Sequence, residues 1–213
     1  MDHGPVARAF THPDGTYRFA RWGRPIVPVV FGVEDATLPV IKGAVEAVVA
    51  LAGHRMSDRD PELGANLFVF FVRDWEELAS LPDLDRLVPD LPALLERLEK
   101  EEANRYRLFR FDDAGAIRAV FLFLRMDPAL AEVPAEDIAL SETVQAILLW
   151  SDDAFDGKGP LASVSGKVML RPDVAAIVRA AYDPAMPVAS TDPSHALRLA
   201  ARIGKRGAVA SST

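Results

Sequence analysis

The stretch "SETVQAILLWSDD", Ser141 to Asp153, decides the fold, because it reads as a largely apolar helix beginning near Ile138 or Ser141 that follows a hairpin after the connection "DPALAEVPAED". That hairpin lies in "YRLFRFDDAGAIRAVFLFLR", where two strand-like runs flank Asp112-Asp113-Ala114-Gly115 and Gly115 can take positive φ. Its second arm is apolar on both faces, as an interior strand must be. Further upstream, "ANLFVFFVR" (Ala65 to Arg73) is a continuous apolar run of strand length and reads as a buried central strand. "RPIVPVVFGV" is a strand too, with Pro28 pointing to a sheet edge or a strand end. Between these two runs, Leu38, Ile41, Val45, Val48 and Val49 recur at helical spacing, and Gly53 supplies the stop. Short helices punctuated by Pro82, Pro89 and Pro92 precede the hairpin, the last with an apolar stripe of Leu91, Leu94, Leu95 and Leu98.

Downstream of the quoted stretch, residues 156–167 read as a Gly- and Ser-containing loop. "RPDVAAIVRAAYDPAM" follows as a helix, with Pro172 in its first turn and Pro184 marking its end. Tyr182 is expected to pack its ring inward and find a polar partner for its hydroxyl. "TDPSHALRLAARIGKRG" is a short capped helix, with His195 expected on its surface. The order β-α-β-α-β-β-α-α predicts an α+β domain with one mixed sheet packed by helices. Residues 1–24 are read as an extended lead-in packed by Trp22, 25–204 as a single domain and 205–213 as a disordered tail.

The chain has 213 residues, half of them hydrophobic, which is enough for a sizeable core. A formal charge of -7 argues against a nucleic-acid or anionic-membrane partner, because phosphate binding needs a basic surface. No window of 18 or more apolar residues occurs, so no membrane span is expected. The first residues, "MDHGPVARAFTHPDG", do not form a basic segment followed by an apolar one, so they are not read as a signal peptide. A cytoplasmic location is expected from the chain as given, and a periplasmic one if a signal has been removed. With no cysteine there is no disulfide, thiol nucleophile or thiolate metal site.

The quoted helix can be set against the zinc-peptidase pattern H-E-x-x-H-x-x-G-x-x-H, in which helical i and i+4 histidines face one metal and the Glu acts as general base. Ser141 stands at the first histidine position, Glu142 at the base and Gln145 at the second histidine. Leu148 stands at the turn glycine and Ser151 at the third ligand, so only the Glu matches. The histidines, His3, His12, His54 and His195, show no i, i+3 or i+4 spacing. Asp152, Asp153 and Asp156 miss the alternating register of a calcium loop and read as a solvated acidic turn. "SVSGK" (Ser163 to Lys167) has its first glycine misplaced for a phosphate loop and reads as a surface turn. No catalytic residue, metal site or cofactor is therefore predicted.

The wider chain resembles the bacterial domain of unknown function 2927 family, common in alphaproteobacteria, over about Arg21 to Ile203. The resemblance is carried by "RWGRPIVPVVFG", "ANLFVFFV", Glu142 with Gln145-Ala146, and "LRPDVAAIVRAAYDPAM" with its Tyr182-Asp183-Pro184. The family's helix reads E-x-x-Q-A-L-G-L followed by Asn-Asp, like a metallopeptidase helix that has lost its histidines; here Leu148 replaces the Gly. Family members usually carry a secretion or lipoprotein signal and often cysteines, which this sequence does not show. The resemblance implies a zincin-like fold whose cleft is a pseudoenzyme site, with Glu142, Gln145 and Asp152 as its candidate polar residues. The function expected is binding of a peptide or protein, for instance by pairing an extended segment along an edge strand. The alternative is a divergent hydrolase with a carboxylate-rich site around Glu142 and Asp152; a third reading is a structural subunit. For Glu142 the plain structural expectation is a first-turn acid that complements the helix dipole.

Overall fold

The apolar run Ile117–Arg125 forms the interior of a four-stranded sheet, parallel to Leu67–Val72 on one side and antiparallel to Arg105–Phe111 on the other. The computed structural model describes residues 4–210, with side chains described as far as residue 205. In chain order the elements begin with α1 (Gly4–Arg8), β1 (Phe19–Ala20), β2 (Pro28–Phe31), α2 (Leu38–Ala52) and β3 (Leu67–Val72). Then come α3 (Glu76–Ala79), α4 (Leu84–Leu87), α5 (Leu91–Lys100), β4 (Arg105–Phe111), β5 (Ile117–Arg125), α6 (Pro128–Ala131) and α7 (Ala135–Ile147). The chain closes with β6 (Leu161–Val164), β7 (Lys167–Leu170), α8 (Pro172–Ala181), β8 (Ala189–Ser190) and α9 (Ser194–Ala210).

The sheet order is β2-β3-β5-β4, with β4 the antiparallel strand at one edge and β2 at the other. This is a mixed α+β architecture with helices on both faces. Period-two alternation divides each strand between two cores. Leu67, Val69, Val120, Leu122 and Leu124 face the larger core with α2, α7 and α8. Phe70, Phe121 and Phe123 face α3 to α5, where Trp75, Leu78, Leu91, Leu95 and Leu98 cover them. Across that second face, Phe68 stacks on Phe121 at 4.7 Å and Phe70 on Phe123 at 5.2 Å, which ties register to aromatic packing.

Several local expectations hold. Pro28 opens edge strand β2, where its missing N–H costs no interior bond. Gly32, just beyond, has φ +80, and a Cβ there would lie 1.9 Å from the Phe71 carbonyl oxygen, so only glycine fits. Gly53 ends α2 in the left-handed region at φ 65. The Tyr182 hydroxyl donates to the Ile147 carbonyl at 2.9 Å and accepts from the Trp22 N–H at 3.3 Å, which locks α8 against the end of α7.

Other expectations are corrected. Residues 4–8 of the extended lead-in are helical, and beside Trp22, which was expected to pack it, Ala7, Phe10 and Phe19 also belong to the main core. Their hydrophobic side chains are scattered among Gly, Pro and Arg, so no period betrays them. α7 begins at Ala135, directly after Pro134, and its first-turn acids are Glu136 and Asp137. Glu142 is therefore in mid-helix and not a first-turn acid. The loop of residues 156–167 contains most of the β6–β7 hairpin, turned by Ser165 and Gly166 at φ 52 and 78, the paired positive values of a type I′ turn. Its strands are short and exposed, so they lack an apolar signature. The tail expected from residue 205 instead continues α9 to Ala210; the rest of that prediction, 211–213, lies outside the described residues.

His195 is not on a helix surface. It is fully buried, with Nδ1 2.7 Å from the Tyr17 hydroxyl and its ring 4.2 Å from that of Phe19. Burial, reinforced by the charge of Arg198, pushes its pKa down to about 4, so the ring is neutral in the folded chain near pH 7. Among the described residues, no helix is long and apolar enough to cross a membrane.

Candidate functional site

α7 runs beside β4 on the sheet face occupied by α2. The odd-numbered residues of β4 point to that face, and two of them are arginines. Glu142 is buried between them. Its Oε2 lies 2.9 Å from Arg107 Nη1 and its Oε1 3.1 Å from Arg105 Nε. The Arg105 contact is an ion pair whose angles miss those of a hydrogen bond, and Oε1 has no other partner. A buried carboxylate requires such a cation, because desolvating it alone costs several kcal/mol, on the order of 5 or more.

Above this triad is a cleft of about 420 Å³. Residues 105–107 and Phe109 line it from β4, Gln145 and the segment Leu149 to Asp152 from the α7 side, and His12 and Phe155 complete the lining. Two of the three predicted residues, Gln145 and Asp152, thus share a cleft, while Glu142 sits behind the arginines and supports the wall. A larger hollow of about 700 Å³ lies on the opposite face of the sheet, rimmed by Glu76, Glu96 and Glu99 against Trp75, remote from α7.

The residues at the pattern's ligand positions are engaged within the chain. α7 ends at Ile147, and Leu148 leaves in an extended conformation at φ -137, bridging to Arg21. The chain thus turns at the position where the peptidase pattern has glycine, but with a φ that any residue accepts. Gln145 Nε2 donates to Ser141 Oγ at 3.2 Å, so the residues at the two histidine positions bond each other. Ser151, at the third ligand position, donates its hydroxyl to the Arg8 carbonyl at 2.6 Å. His54 is engaged with the Arg24 carbonyl at 2.8 Å. Among the described residues, no three His, Asp or Glu side chains come together as a metal site.

Sequence reasoning passed over His12, Arg105 and Arg107. His12 Nε2 is buried without a hydrogen-bond partner. Burial first, then the charge of Arg18, lowers the His12 pKa, while Asp152 acts in the opposite direction. The signal available in sequence is partial: Arg105 and Arg107 stand two apart in "RYRLFRF" and so share one face of a strand, but nothing local joins them to Glu142.

The ladder between β4 and β5 gives the wall a second property. The Arg125 N–H donates to Asn104 C=O at 2.9 Å, and Val120, opposite Phe109, sends its N–H to Asn66 instead. That phase makes 105, 107 and 109 the non-bonded positions of the antiparallel pair, so their N–H and C=O groups point to the open edge.

The Glu142→Gln variant is expected to lose about 2 kcal/mol of stability. Removing one partner from a fully buried pair costs about 3–5 kcal/mol, and the partial exposure of both arginines reduces that. In a chain of this length the melting temperature should fall by about 6 °C. An unmoved melt would show that Glu142 carries no structural charge balance.

Compared with family models, curated proteins and solved structures, the chain matches none.

Proposed function

We propose that this chain is a zincin-like domain without peptidase chemistry, related to the domain of unknown function 2927 family, whose cleft binds an extended peptide. The observation that carries the binding role is the open edge of β4 along the cleft, where alternate residues offer free backbone donors and acceptors. A strand added there would lie over the end of α7, with its inward side chains on Arg105, Arg107 and Phe109. The zincin-like assignment is supported by the order of the main elements: strand, long helix, parallel strand, antiparallel edge strand, interior strand, then the helix α7 beside the cleft.

Hydrolysis through Glu142 is the weaker reading. A general base must present a lone pair to the substrate. Both oxygens of Glu142 are instead turned to guanidinium groups, behind the cleft wall.

Hydrogen exchange on the full chain, with and without peptides selected for binding, tests the reading. Bound peptide should slow exchange at the amides of Arg105, Arg107 and Phe109, and every peptide should be recovered uncut. Protection elsewhere with these three unchanged would move the site off β4. Cleavage that tracks the protein through purification would restore an enzyme.

A further inference from the structure

We propose that the β4 wall is a carboxylate subsite: a peptide lying along the open edge places a carboxylate on the free guanidinium N–H groups of Arg105 and Arg107. The inference rests on the peptide-binding reading and adds the chemistry of the ligand.

Each guanidinium has five N–H donors in a fixed fork. Glu142 engages Nε of Arg105 and Nη1 of Arg107. Among the described residues neither arginine makes any other hydrogen bond or ion pair, so both Nη groups of Arg105, and Nε and Nη2 of Arg107, remain available. Two cations against one buried anion leave the wall one net positive charge. Asp152, the acidic residue lining the same cleft, acts on His12 and pairs with neither arginine. Glu142 also holds the two side chains in place, so a ligand need not freeze them. A carboxylate suits such forks because it accepts two parallel bonds from each.

The register sharpens the ligand. In a strand antiparallel to β4, residues two apart face Phe109, Arg107 and Arg105 in turn. The fitting sequence has an apolar residue first, then an acid two or four positions later. Its C-terminus leaves at the Arg105 end, so a terminal carboxylate is a second source of the same chemistry.

Two random octapeptide libraries, one amidated and one with free C-termini, sorted on the immobilised full chain, separate these sources. Asp or Glu enriched at alternate positions of the amidated library assigns the subsite to side chains; binders confined to the free library assign it to the terminus. For the selected peptide, replacing its carboxylate by an amide should weaken binding about tenfold. Arg105→Gln should do the same, since it leaves the Arg107 pair with Glu142 in place, and melting curves check that the variant is folded. Arg105→Glu should prefer the peptide carrying lysine at that position, a reversal that a merely structural arginine would not produce. Selected peptides that bind equally well without a carboxylate would overturn the subsite and leave peptide binding standing. No enrichment in either library would overturn both.

Discussion

Replacing Trp22 by alanine is expected to lower stability by about 5 kcal/mol, the upper end of the range for a buried aromatic. The indole is fully buried, and its Nε1–H donates to the Ala146 carbonyl at 2.9 Å in the last turn of α7. Alanine would leave a cavity at the junction of α7 and β5 and strip that carbonyl of its donor in a place water does not reach. Two costs thus fall on one residue. The melting temperature should drop by about 15 °C. Denaturant titration followed by circular dichroism measures the loss, and Trp22→Phe, which restores most of the volume but not the bond, should recover more than half. A loss below about 1 kcal/mol would mean that this segment packs loosely on the domain.

Phe10→Ala is expected to cost about 4 kcal/mol and to damage the cleft as well. The Phe10 ring stacks on Trp150 at 5.4 Å and meets Phe19 edge-on at 5.1 Å. Trp150 in turn leans on Phe155 at 5.0 Å, and both line the cleft. Removing Phe10 deletes the backing of the Trp150 indole, so that wall loses its fixed position. Peptide affinity should therefore fall at temperatures where the variant is still folded. Affinity unchanged alongside a large stability loss would separate the N-terminal segment from the cleft.

Both effects fall on the lead-in, where the sequence points to Trp22 as a packing residue but not to Phe10, and the reason is physical. β3 and β5 were legible because each is one uninterrupted apolar run, and α2 because its buried positions repeat with the helical period. Phe10, Tyr17 and Phe19 sit on chain with almost no regular structure, so neither period applies and only tertiary contact reveals their burial. The site was half legible. Gln145 and Asp152 do line a cleft, found through a helix compared with a template. Arg107, 35 residues before Glu142, could be joined to it only by knowing that β4 lies beside α7. His195 misled for a similar reason: its neighbours in sequence, Asp192 and Ser194, signal a helix start and say nothing of Tyr17.

The exposed margin of β4 also bears on self-association. Unpaired main-chain groups on an edge strand are a template for a second copy of the same chain, and stacking of that kind leads to fibres. Two copies meeting there antiparallel would bring guanidinium groups of one against those of the other, with Glu142 on each side already committed to its own pair. Like charges facing across a strand pair oppose its formation. The same two side chains that make the edge selective thus act as gatekeepers against its most abundant competitor in a concentrated solution, the protein itself.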